Sequence, residues 1–219
     1  MSFCASPNFD ARPGGVDMLV LHYTGMPTAA AALARLCDPG AKVSAHYLVD
    51  EDGAVEALVA EPNRAWHAGV SFWRGATSLN DRSIGIEIVN PGHEGYRPFP
   101  PVQMQAVREL CRGILARWPI PARNVVGHSD IAPDRKQDPG ELFDWRALAQ
   151  AGIGLWTDSF APPGDLAADL AAIGYDMRLA ETDVIIAFQR HFLPDHLTGV
   201  ADEKTAGRAA AIRALVDQS

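Results

Sequence analysis

Apolar and polar positions along this chain follow two periods, and the points where one gives way to the other mark its elements. Residues 16–23 (VDMLVLHY) form an apolar run of strand length, and the Ala/Leu-rich stretch 27–37 that follows reads as a helix. Residues 46–50 and 55–59 flank Asp52-Gly53, and Asp-Gly between two apolar runs predicts a β-hairpin with His46 on a strand. In residues 84–89 (IGIEIV) the alternation sends Ile84, Ile86 and Ile88 to one face and Gly85, Glu87 and Val89 to the other. Glu87 is therefore presented from the interior of a strand. Val102, Met104, Val107, Leu110, Cys111, Ile114 and Leu115 recur close to helical spacing, and Pro119 closes that helix. Residues 125–128 (VVGH) read as a short buried strand that delivers His128 at its C-terminal edge.

Beyond residue 151 the composition changes. A Gly-rich stretch and then Ala161-Pro-Pro-Gly164 precede an Ala/Leu-rich tail with three amphipathic segments, near 165–173, 181–192 and 203–215. The pattern predicts an α/β fold, a central mixed β-sheet flanked by helices, in residues 1–158. A small three-helix C-terminal domain follows in residues 159–219.

Composition narrows the classes. At 219 residues and 47% apolar, the chain is long enough for a packed domain with an appendage. Asp and Glu outnumber Lys and Arg 27 to 19, a net charge of −8, so no broad attraction for phosphate backbones exists and nucleic acid is not an expected partner. Cys4, Cys37 and Cys111 are far apart, odd in number and lack C-x-x-C spacing, which favours reduced structural thiols. The first residues show no secretory signal pattern and no run of about 18 apolar residues occurs, so a cytoplasmic location without a transmembrane segment is the expectation; a removed signal would place the same chain in the envelope.

The chemistry rests on a few polar residues. His22 ends one buried strand and His128 another, and imidazoles at the C-terminal ends of neighbouring strands can converge above a sheet. Asp138 lies ten residues after His128, in the loop IAPDRKQDPG. Two neutral imidazoles and a carboxylate form a catalytic zinc set that leaves a fourth position open. Spacing alone favours core or hydrogen-bonded histidines over ligands.

Five motifs in order change that balance: LVLHYTG (19–25), SAHYLVDEDG (44–53), AWHAG (65–69), LNDRSIGIEIVN (79–90) and VVGHSDIAPDRKQDPG (125–140). Over about residues 18–145 they resemble the zinc-dependent N-acetylmuramoyl-L-alanine amidase family, which includes phage amidases and peptidoglycan recognition proteins. The resemblance implies one Zn2+ held by His22, His128 and Asp138. It implies Glu87 as the group that takes a proton from water and passes it to nitrogen, and Lys136 as a positive charge beside the oxyanion. It also suggests that Trp66, His67 and Asn80 contact substrate. Some relatives carry a tyrosine where this chain has Ala45, which leaves proton transfer to Glu87. His46 is expected to pack or hydrogen-bond near the site, and His93, His191 and His196 to lie at the surface.

The implied activity is hydrolysis of the amide between N-acetylmuramic or anhydro-muramic acid and L-alanine, in cell-wall recycling or turnover. A silent muropeptide binder and a zinc peptidase of other specificity are the alternatives. The tail resembles a three-helix peptidoglycan-binding module, and a helical cap on the catalytic domain predicts the same helices. Intact peptidoglycan and soluble muropeptide both remain open as substrate, as does oligomeric state.

Overall fold

The computed structural model describes residues 2–3 and 5–218, so Cys4 lies outside the described residues. In chain order the elements are β1 (Ser2–Phe3), β2 (Phe9–Ala11), β3 (Met18–Tyr23), α1 (Ala29–Leu36), β4 (Tyr47–Val49), β5 (Val55–Ala57), β6 (Asn63–Ala65) and β7 (Ser83–Ile88). Next come α2 (Pro101–Arg117), β8 (Val125–Gly127), α3 (His128–Ile131) and α4 (Trp145–Gln150), and the tail forms α5 (Leu166–Ile173), α6 (Glu181–Phe192) and α7 (Glu203–Val216). Strands run in the order β1-β5-β4-β7-β3-β8 in one six-stranded sheet, and β2 pairs with β6 apart from it. The sheet is mixed: β5 runs antiparallel to β4, while β4, β7, β3 and β8 are mutually parallel.

Local chemistry sets several boundaries. Thr28, Asp165 and Asp202 cap α1, α5 and α7 by accepting hydrogen bonds from backbone N–H groups three residues on, which satisfies donors that a helix start leaves unpaired. The β4–β5 hairpin turns at Gly53, whose φ of +86° suits a residue without a Cβ.

The two faces of the sheet have different covers. Leu19, Leu21, Ile84, Ile86 and Ile88 pack against Met104, Val107, Leu110, Cys111 and Ile114 of α2, as the alternation requires. Burial pushes the Cys111 thiol up to about 12, so it is an inert core thiol. On the opposite face Met18, Val20 and Val126 join one apolar cluster with Leu170, Ile173, Val184, Phe188 and Ile212 of α5–α7. His22 and Glu87 belong to this same face, farther along their strands, and are register partners across β3 and β7. The tail helices thus cover one half of the face that carries the candidate chemistry at its other end.

Candidate metal centre

Three elements bring the ligand candidates together. His22 is the fifth residue of β3, and His128 opens α3 where β8 ends. The chain then loops back so that the Ser129 N–H donates to the Asp138 carbonyl at 2.9 Å. That return needs Gly127, because a Cβ there would lie 2.7 Å from Pro139 Cδ.

The three donor atoms form a nearly equilateral triangle. His22 Nδ1 lies 2.9 Å from His128 Nδ1 and 3.0 Å from Asp138 Oδ2, and His128 Nδ1 is 3.1 Å from the same oxygen. A tetrahedral zinc with bonds of about 2.0–2.1 Å separates its ligands by about 3.3 Å, so this donor set fits with only a slight opening. His22, His128 and Asp138 are all buried. His128 Nε2 lies 3.1 Å from the Ala68 carbonyl, which can only accept, so that nitrogen holds the proton and Nδ1 is left as a lone pair. Burial, then the neighbouring His128, lowers His22 to about 4, so its imidazole is neutral near pH 7. Burial alone would raise the Asp138 carboxyl, but His128 and His22 outweigh it and hold the group well below the usual carboxylate range.

Glu87 faces the same cleft and is shared by no salt bridge among the described residues; its buried Oε2 has no hydrogen-bond partner there. Burial, reinforced by the Asp138 carboxylate, raises its pKa well above the usual glutamate value, and the Lys136 ammonium opposes the rise. Glu87, Lys136, His128 and Asp138 line a cleft of about 470 Å³ together with Tyr23, Arg35, His67 and Arg135.

Comparison with known proteins decides the family. The profile of N-acetylmuramoyl-L-alanine amidase matches residues 11–141. Over 229 aligned residues the chain is 43% identical to the N-acetylmuramoyl-L-alanine amidase AmiD of Escherichia coli, covering 90% of this chain and 82% of that relative. The chain belongs to the N-acetylmuramoyl-L-alanine amidase family. It is also 37% identical over 159 residues to the 1,6-anhydro-N-acetylmuramyl-L-alanine amidase AmpD of Salmonella typhimurium, covering 64% of this chain and 83% of the relative. The solved structure of E. coli AmiD with anhydro-N-acetylmuramic acid-L-Ala-D-γ-Glu-L-Lys matches with a TM-score of 0.83 at 40% identity, covering 96% of this chain and 94% of that one.

Around the triad this amidase places its other polar residues in definite roles. His67 is buried at the cleft floor, between His22 and Ser83. Asn80 and Trp66 are not among the cleft-lining residues. Asn80 Oδ1 instead accepts from the N–H groups of His67 and Ala68 at 3.0 and 2.8 Å, so it braces the loop that bears both. The Trp66 N–H donates to Ser44 Oγ at 2.8 Å. Ala45 is fully buried, and no side-chain hydroxyl exists at that position. His46 accepts the Gly85 N–H on Nδ1 at 3.0 Å, and burial lowers it to about 4, so it hydrogen-bonds beside the site without joining the triad.

His93 is exposed and His196 partly so, as expected, but His191 corrects the sequence reading. It is 2% exposed, stacks on Trp145 with ring centroids 3.8 Å apart, and donates from Nδ1 to Asp130 Oδ2 at 2.7 Å. Tyr175 donates to the other oxygen, Oδ1, at 2.6 Å, and the Gly127 N–H also reaches Oδ2 at 2.7 Å. Two tail residues therefore grip the carboxylate of the one-turn helix that begins with His128. Sequence reading missed Asp130 and Tyr175, since both lie within otherwise ordinary motifs and meet only through the fold.

Proposed function

We propose that this amidase holds one zinc ion at His22, His128 and Asp138 and hydrolyses the amide joining the lactyl group of N-acetylmuramic or anhydro-muramic acid to L-alanine, in cell-wall recycling or turnover. The observation that carries this reading is the convergence of three buried donor atoms within about 3 Å of one another, two of them from residues, His128 and Asp138, that line a cleft together with Glu87 and Lys136. Zinc bound there would supply Lewis acidity, which polarises a carbonyl and lowers the pKa of a neighbouring water to about 7. Glu87, raised by its burial, is poised to take a proton from the attacking water and return it to the departing nitrogen. Lys136 stabilises negative charge growing on the carbonyl oxygen, and removal of such a donor costs on the order of a hundredfold or more in turnover.

We read the C-terminal helices as a layer of the catalytic fold, supported by the apolar cluster that α5–α7 share with Met18, Val20 and Val126. Asn80 acts on substrate through the loop it braces, the one that carries His67 and Ala68. No helix among the described residues is long and apolar enough to cross a membrane.

The test is product analysis on soluble anhydro-muropeptide and on insoluble sacculi. Release of the lactyl sugar and a free L-alanine amino terminus from either substrate supports the proposal, and the ratio of the two rates assigns recycling or wall turnover. Cleavage of simple peptides alone would overturn it.

A further inference from the structure

Leaving the metal triad through His22, a chain of hydrogen bonds runs along the sheet face and stops at a group that cannot donate. Ser83 Oγ lies 2.7 Å from the Leu79 carbonyl. A carbonyl only accepts, so the single hydroxyl proton of Ser83 is committed to it. Ser83 Oγ, 3.1 Å from His67 Nε2, must then accept from the ring, which puts the His67 proton on Nε2. In a neutral imidazole the other nitrogen is a bare lone pair. His67 Nδ1 therefore accepts from His22 Nε2, 3.0 Å away, and His22 in turn keeps Nδ1 bare. That bare nitrogen is the one that meets His128 Nδ1 and Asp138 Oδ2.

The backbone is shaped for this arrangement. Ser83, Gly85 and Glu87 share one face of β7, opposite Met18, Val20 and His22 of β3. The His67 ring lies against Gly85 so closely that a Cβ there would be 2.5 Å from His67 Cγ and 2.6 Å from Nδ1. Real side chains do not approach so near, so glycine at 85 is what lets the ring reach both Ser83 and His22. Asn80 fixes the other side by accepting from the His67 N–H.

We propose that His67 is a positioning residue for the metal centre, locking His22 in the Nε2–H tautomer through Ser83 and the Leu79 carbonyl so that Nδ1 is presented bare to zinc. This rests on the reading of His22 as a zinc ligand. Groups that hydrogen-bond to a metal-ligating histidine in this way change metal affinity by about 10–100-fold when removed.

The experiment measures zinc dissociation constants by competition with a chelator, and the His22 tautomer in zinc-free protein by long-range proton–nitrogen NMR at pH 7. In the wild type, His22 should carry a proton on Nε2. His67→Phe keeps the ring volume but loses both nitrogens, and should weaken zinc binding about 10–100-fold. His67→Gln supplies an acceptor and a donor on one group and should restore most of that loss, whereas a role in packing alone would favour Phe. Ser83→Ala, a smaller change, should weaken binding in the same direction. Wild-type affinity in both His67→Phe and Ser83→Ala, or an unprotonated Nε2 on His22 in the wild type, overturns the proposal. Should His67→Phe not fold, Ser83→Ala and the wild-type spectrum still decide. His22→Ala separates the two levels: zinc retained in it overturns the ligand reading itself, while zinc lost in it but unaffected by His67 and Ser83 overturns only the relay.

Discussion

Removing one hydroxyl from the tail should destabilise the whole amidase, because Tyr175 supplies a hydrogen bond to a carboxylate that has no access to water. Asp130 is 1% exposed, and Tyr175 donates to its Oδ1 at 2.6 Å. Tyr175→Phe keeps the ring, including its edge-on packing against Trp73 at 5.2 Å, and strips only the donor. A hydrogen bond to a charged group contributes about 1.5–3 kcal/mol, and a buried acceptor left unpaired costs a similar amount, so a loss of about 2–3 kcal/mol is expected. Against a typical total of about 5–15 kcal/mol this is a large fraction. In a chain of this size each kcal/mol moves the melting temperature by about 2–4 °C, giving a drop of roughly 4–12 °C. Urea unfolding at a fixed zinc concentration is the assay, with the midpoint falling and the slope unchanged. A loss below about 0.5 kcal/mol, or a tail that melts in its own earlier transition, would refute the claim that α5–α7 and the sheet form one cooperative unit.

Two further outcomes test the chemistry. Metal analysis should find one zinc per chain in the wild type and in Glu87→Gln but little in His128→Ala, with Glu87→Gln losing about 10²–10⁴-fold in turnover; equal zinc in His128→Ala would remove it from the ligand set. Glu87 must be ionised to act as a base, so activity is lost as pH falls through its raised pKa, and Lys136 is the charge that holds that pKa down. Lys136→Met should therefore move the acid limb of kcat/KM to higher pH, and an unmoved or lowered limb would sever the link between the two groups.

Much of the fold was legible because its signals are local. The alternation at 84–89 requires only neighbouring residues, and it correctly put the three isoleucines on one face, which the structure packs against α2, and Glu87 on the other. Asp52-Gly53 marked the β4–β5 hairpin, and the three amphipathic tail segments fall on α5, α6 and α7. The convergence of His22, His128 and Asp138 was not legible from spacing: His22 and Asp138 are 116 positions apart, and nothing periodic links them. Ordered motifs supplied that link. His191 had no such help. It occupies the last turn of an amphipathic helix, where a polar residue ordinarily meets solvent, and its partner Asp130 is 61 positions away.

The least legible feature was which half of a face each element would claim. Met18, Val20 and His22 alternate onto one face of β3, and periodicity says no more than that. The fold divides them: Met18 and Val20 are sealed by α5–α7, while His22 lies beyond that cluster, against His67, His128 and Asp138. The family match ends at residue 141, before any of those helices begins. Yet the helices bury Val20, two positions before His22, and Tyr175 and His191 of the tail hold Asp130, two positions after His128. The tail thus bears on both histidines of the triad from beneath. A change in its packing should therefore reach His22 and His128 through β3 and α3, whether or not the tail ever touches the cell wall.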